Sequence, residues 1–266
     1  AAKQDKNKND LYEYCLSEIK KQKYEGTYML KGFCNLLLHL VRTDQETKEI
    51  IALFDSQLEK IKDKSSYEAK NIVERKIALY KKMKQYKLAD NLVTENLQIE
   101  SFRMQLVEKY IKAKKYQNAK GLIEEFLSAH PNHNFNFHQT WLKLLLTIAQ
   151  KQSDHSEIRR ISYLFVQNYF QEEYYRIYKS CFVPDEWEAE LKKLINYYQQ
   201  NDKWFSNSVA DVLKEEKDTL ALMNYVKQFL SVDSLERYHS VFAKAYPETT
   251  LELFGKALDQ YIEKNT

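Results

Sequence analysis

Glycine and proline are scarce in this chain, at four and three among 266 residues. A sheet of many short strands needs frequent tight turns and bulges, and this sequence has too few residues of the kind that make them. Cysteine is also rare. Cys15, Cys34 and Cys181 are odd in number, which excludes a complete disulfide framework, and each falls in a helical pattern where a thiol behaves as a small apolar group. A reducing, cytoplasmic setting is expected. Long apolar runs are absent as well: the longest, Leu36 to Val41, is interrupted by His39 and is far too short to cross a bilayer. No charged-then-apolar signal segment opens the chain, so no membrane partner is expected.

Neither sign of charge dominates. The 41 Lys and Arg against 38 Asp and Glu leave +3, interspersed along most helices, which leaves no electrostatic footprint that favours nucleic acid. Lys3, Lys6 and Lys8 precede the first expected helix and read as a solvated terminus. No Gly/Ser/Pro-rich linker appears, so one continuous body is expected.

What is present is helix. Apolar residues recur at three- and four-residue spacing, as in Leu106, Val107, Tyr110, Ile111 and in Leu251, Phe254, Leu258, Ile262, and each set falls on one helical face. Ser66, Asp154, Asp202 and Asp233 are expected N-caps, and Pro184 and Pro247 suit a first helical turn. Helices are expected over residues 11–21, 27–41 and 45–62, then as pairs to the end of the chain. These include 202–214 with 218–230, and 235–245 with 248–264.

The pattern also repeats. Tyr80, Tyr86, Ala89 and Val93 recur thirty positions later as Tyr110, Tyr116, Ala119 and Ile123. Small residues at Ala89 and Ala119 let two helices approach while large neighbours fill the groove beside them. A third pair places Trp141, Leu145 and Ala149 on one helix and Ile158, Ser162 and Phe165 on the next. With Leu106, Phe126 and the closing Pro131, the second copy resembles a tetratricopeptide repeat. It is degenerate, because Ile77 and Val107 stand where that repeat has a small residue, and a period of thirty implies a shortened connection. The resemblance implies an all-α fold, a right-handed α-α superhelix of antiparallel helix pairs over residues 66–266, with 1–65 as N-terminal helices that cap it.

Residues 79–126, reading LYKKMKQYKLADNLVTENLQIESFRMQLVEKYIKAKKYQNAKGLIEEF, and 246–265, reading YPETTLELFGKALDQYIEKN, are similar to the helical C-terminal region of bacterial SWIM zinc-finger proteins. The finger itself is absent: it needs a Cys-x-Cys pair followed by Cys-x-His, and no cysteine here has such a neighbour. The likeness implies a bacterial interaction scaffold, part of a longer parent.

Candidate chemistry is sparse. His130, His133 and His138 lie within nine residues of one another, but the spacing matches no closed metal site, so no metal is expected. Tyr169, Phe170, Tyr174, Tyr175 and Tyr178, beside Arg176 and Lys179, have the composition of a base-stacking platform; the helical spacing of Tyr174 and Tyr178 favours packing instead. Carboxylates fall in helix-surface pairs such as Glu108 with Lys112 and Glu190 with Lys193. No phosphate loop, nucleophile elbow or zinc-binding His-Glu helix occurs, so neither an enzyme nor a small-molecule cofactor is expected. The tetratricopeptide likeness instead directs attention to the inner face of the first helices. It places Asn71, Glu74, Ala78 and Lys81 beside Ser101, Met104, Glu108 and Ile111, followed by Thr140, Lys143, Thr147 and Gln150. This mixed polar surface suits a protein or peptide partner. A nucleic-acid-associated module that positions a finger elsewhere in the parent chain is the alternative.

Overall fold

A computed structural model describes residues 2–21, 24, 28–168, 170–201 and 206–265, and the side chains of all of these except 2–6, 264 and 265. Among the described residues there are fifteen helices and no strand. The chain forms two compact units, Ala1–Phe126 and Leu127–Thr266. This division does not coincide with the one expected after residue 65.

The first unit contains α1 (Ala2–Lys20), α2 (Tyr28–Leu40), α3 (Asp44–Lys60), α4 (Tyr67–Lys82), α5 (Tyr86–Glu95), α6 (Glu100–Lys112) and most of α7 (Tyr116–Ala129). Helix α1 begins nine residues before the expected Leu11, because no glycine or proline interrupts the chain before residue 26. Lys3, Lys6 and Lys8 therefore belong to its first turns. Helix α3 starts on a capping box in which Thr43 Oγ1 accepts from the Glu46 N–H at 3.2 Å while Glu46 Oε2 accepts from the Thr43 N–H at 2.9 Å. Ser66 caps α4 as expected, accepting from the Ala69 N–H at 3.2 Å.

Helix α4 is buried on two sides. Ile72 and Leu79 join Cys15, Leu16, Cys34, Leu37, Ile50 and Phe54 in one core, and Val73 and Ile77 join Ala89, Leu92, Ile99 and Phe102 in a second. Ala89 and Ala119 are both fully buried. Two cations tie helices together through main-chain carbonyls. Lys82 Nζ donates to Leu38 O at 2.7 Å and His39 O at 2.8 Å, satisfying the open end of α2. Arg103 donates to Leu97 O at 3.1 Å and Leu122 O at 3.0 Å, joining α6 to the preceding loop and to α7.

The second unit contains α8 (Phe135–Gln152), α9 (His155–Asn168), α10 (Glu172–Lys179), α11 (Pro184–Asn201), α12 (Asn207–Glu215), α13 (Thr219–Gln228), α14 (Val232–Phe242) and α15 (Pro247–Asn265). Both prolines open their helices, where a missing N–H leaves nothing unsatisfied. Asp154 caps α9, accepting from the Glu157 N–H at 3.1 Å. Asp202 and Tyr169 lie outside the described residues. Asp233 is not the cap of α14. Ser231 holds that position in extended backbone and accepts from the Ser234 N–H at 3.1 Å, while Asp233 sits in the first turn.

Helix neighbours in sequence pack together within each unit: α1 with α2, α3 with α4, α4 with α5 and α5 with α6 in the first, α8 with α9, α9 with α10 and α11 through α15 in order in the second. Four of the short connections share one geometry. Lys84, Lys114, Ser153 and Lys217 have positive φ of 54–59°. After α4, the Lys84 N–H donates to Lys81 O at 3.0 Å and the Gln85 N–H to Tyr80 O at 2.8 Å, closing the helix end with the left-handed residue between. The same two bonds recur around Lys114, Ser153 and Lys217. The thirty-residue period from Lys84 to Lys114 is short because α5 has only 10 residues.

A left-handed backbone costs a side-chain-bearing residue about 1–2 kcal/mol. Replacing Lys84 and Lys114 with glycine is therefore expected to raise stability by about 0.5 kcal/mol per site, once the greater freedom of glycine in the unfolded chain is subtracted. Urea unfolding measures this, and a fall in stability for both variants contradicts the turn assignment. Ala119→Phe is expected to lower stability by about 1–3 kcal/mol through overpacking.

Candidate functional site

In the first unit a cleft of about 860 Å³ lies between the start of α2, the end of α3 and the first half of α4. Its walls follow from the packing: α4 gives its apolar sides to the two cores, so Asn71 and Arg75 lie on the strip between. Tyr28 and Tyr67 stand beside the cleft 93% and 74% exposed, which places two large amphipathic rings where no core uses them. Lys31, Lys62 and Arg75 line it with no carboxylate partner among the described residues, and Glu68 is the only carboxylate on its described wall. The arrangement offers stacking surface, donors and positive charge. No histidine or cysteine lines it among the described residues.

The residues expected on the inner helix faces divide between the units. On α4, Asn71 lines the cleft and donates from Nδ2 to Tyr67 O at 2.9 Å. Glu74 is exposed and pairs with Lys70 at 3.8 Å, and Lys81 is exposed near the end of the helix. On α6, Ser101 and Met104 are half-buried and Glu108 exposed. On α8 in the second unit, Thr140 and Gln150 are exposed. Lys143 places Nζ 5.9 Å above the Tyr174 ring, and Thr147 donates to Lys143 O at 2.9 Å.

The aromatic cluster of the second unit is core. Tyr174, Tyr175 and Tyr178 are buried, with Tyr174 stacked on Phe165 at 4.0 Å and Tyr175 edge-on to Trp187 at 5.5 Å. The hydroxyls of Tyr175, Tyr178 and the buried Tyr238 are joined to carboxylates elsewhere in the unit. Tyr175 donates to Glu216 at 2.6 Å, Tyr178 to Glu190 at 2.6 Å, and Tyr238 to Asp211 Oδ1 at 3.0 Å. Lys179 Nζ adds bonds of 2.7 and 2.8 Å to Glu216. Burial pushes the phenols of Tyr175 and Tyr178 upward, and the accepting carboxylates push them further. Burial also works to raise the Glu216 and Glu190 carboxyls, but the donors around them outweigh it and hold both below the ordinary glutamate value.

Around α8, the His133 ring packs on Phe137 at 4.0 Å and His138 Nε2 lies 2.9 Å from His130 O. The imidazoles thus meet a phenyl ring and a carbonyl, and no group of three or more His, Cys, Asp or Glu among the described residues is arranged to hold a metal. None of the described helices is long and apolar enough to cross a membrane. No family model, curated protein or solved structure matches the chain.

Sequence reasoning did not find the cleft, because its walls are drawn from residues 28–75 and no local motif joins them. The off-face tyrosines at two helix starts were the available signal. The near-balance of charge over the whole chain also conceals an asymmetry. Residues 1–126 hold 25 Lys and Arg against 19 Asp and Glu, net +6, and residues 127–266 hold 16 against 19, net −3.

A carboxyl with a folded pKa below its unfolded value contributes stability above the unfolded pKa and loses it as pH falls through the folded one. The second unit is therefore expected to weaken below about pH 4.5, the ordinary glutamate value. Glu216→Gln is expected to cost about 2 kcal/mol at pH 7, by leaving Tyr175 and Lys179 without their anion, and to reduce the further loss on acidification. Urea unfolding followed by tryptophan fluorescence at both pH values tests this; an unchanged pH dependence in the variant rules out the assigned role.

Proposed function

We propose that this chain is a non-catalytic protein–protein interaction scaffold, whose helix pairs stack as a right-handed superhelix and which forms part of a longer bacterial SWIM zinc-finger-type protein in the cytoplasm. The cleft between α2, α3 and α4 supports this reading most directly. Exposed tyrosines beside cations that lack partners are the usual makings of a recognition surface: rigid rings supply contact area at small entropic cost, and charge selects the partner. The occupant that fits is an extended polypeptide segment carrying carboxylates. The polar face of α4 and α6, from Asn71 and Glu74 to Ser101, Met104 and Glu108, supports binding of the same kind.

The experiment is a pair of binding measurements on the intact chain against a captured partner, with helicity checked by circular dichroism. Tyr67→Ala combined with Arg75→Glu is expected to weaken binding about tenfold or more. A second variant combining Lys81→Glu and Lys143→Glu tests the polar helix faces. Retention of full affinity by both variants, with helicity intact, defeats the scaffold reading at these surfaces.

A further inference from the structure

The two equivalent turns of the first unit carry an accumulation of lysine that their local structure opposes. No Asp or Glu occurs from residue 75 to 89 or from 109 to 123. Helix α4 runs to the turn at Lys84, α5 returns against it, and α6 runs forward again to the turn at Lys114. Both turns therefore lie at one end of this helical set, opposite the connection at residues 96–99. Lys81, Lys84, Lys87, Lys112, Lys114 and Lys115 all stand exposed there, and among the described residues none of the six forms an ion pair with a carboxylate, so the expected pair of Glu108 with Lys112 is not made.

Lysine in the last turn of a helix complements the negative end of the dipole, which accounts for Lys81 and Lys112. It does not account for the others. Lys84 and Lys114 occupy left-handed backbone that glycine adopts without strain. Lys87 lies in the first turn of α5 and Lys115 directly before α7, at positive helix ends where a cation is unfavourable; neither helix has an acidic residue in its first turn. Tyr86, 61% exposed, and the half-buried Tyr116 open these same two helices. Strain and repulsion are thus accepted at two turns thirty residues apart, each with a tyrosine beside it.

We infer that this end of the first unit binds single-stranded nucleic acid without sequence selection, the lysines meeting successive phosphates and Tyr86 offering a face to a base. This goes beyond the scaffold reading and uses a surface at the other end of α4 from the cleft. Lysine supplies point charges that suit phosphates and carry no base readout. An exposed ring within a cationic strip is the means by which single strands, whose bases are free to stack, are held.

The test is fluorescence anisotropy of the full chain with a labelled oligothymidylate of about 15 nucleotides, alongside a duplex of equal length and poly-glutamate. Neutralisation of six phosphates predicts that binding weakens roughly 300-fold between about 50 and 200 mM salt. Combining Lys84→Gly and Lys114→Gly is expected to lower affinity about tenfold and the salt slope by about 1.4. Because the same substitutions are expected to stabilise the fold, weaker binding cannot be laid to misfolding. Tyr86→Ala is expected to lower affinity by roughly five- to a hundredfold. Absence of binding at low salt, or full affinity in the double glycine variant, overturns the inference. Equal binding of duplex overturns the single-strand assignment. Poly-glutamate that binds as tightly, and depends on Lys84 and Lys114, makes the ligand an acidic polypeptide instead.

Discussion

The short left-handed turn is the constraint on which four of the helix pairs depend. An amphipathic helix of 10–18 residues, isolated in water, holds its shape poorly and leaves its apolar stripe exposed. Reversal of the chain within three residues brings a second stripe against the first before a long loop must be ordered. Two main-chain bonds at each turn satisfy carbonyls that the helix end would otherwise leave open. Val73 and Ile77 then meet Ala89 and Leu92, and the small alanine permits the close approach that the turn enforces. Lysine or serine at the left-handed position is tolerated because burial of the pair outweighs about 1–2 kcal/mol of backbone strain.

Both units join helices through ion pairs, such as Lys76 with Asp55 in the first and Lys179 with Glu216 in the second, and each adds ties of its own. In the first, cationic side chains reach main-chain carbonyls: Lys82 at the end of α2, Arg103 at Leu97 and Leu122. In the second, phenols reach carboxylates: Tyr175 to Glu216, Tyr178 to Glu190 and Tyr238 to Asp211. A phenol inserts a ring into the core and leaves its hydroxyl at the rim, so a single residue supplies both packing and a directional tie. Tyr175 and Tyr178 serve this purpose, which is why the aromatic-rich segment around them presents little stacking surface to solvent.

The readable part of the sequence was whatever acts within a helix or between neighbouring helices. Periodicity located most helices, Ser66 and the two prolines marked their starts, and Ala89 and Ala119 marked buried positions. The turns were less visible, since their left-handed residues are Lys84, Lys114, Ser153 and Lys217 and not the glycine that usually signals them. Asp233 misled because Ser231, two residues earlier, caps α14 with reciprocal bonds to Ser234. The tyrosine–carboxylate ties join residues up to 41 positions apart and leave no local trace. The cleft walls likewise meet only once α2, α3 and α4 are assembled.

Helix α4 belongs to two cores at once, with Ile72 and Leu79 on one side and Val73 and Ile77 on the other. Similarity of residues 66–126 to a helical repeat therefore does not make them separable from what precedes them. A shortened chain beginning at residue 66 would strip one flank of its leading helix and turn Ile72 and Leu79 out to water, an invitation to self-association. The piece that can be expected to behave as an independent module is the one that keeps α4 clothed on both sides.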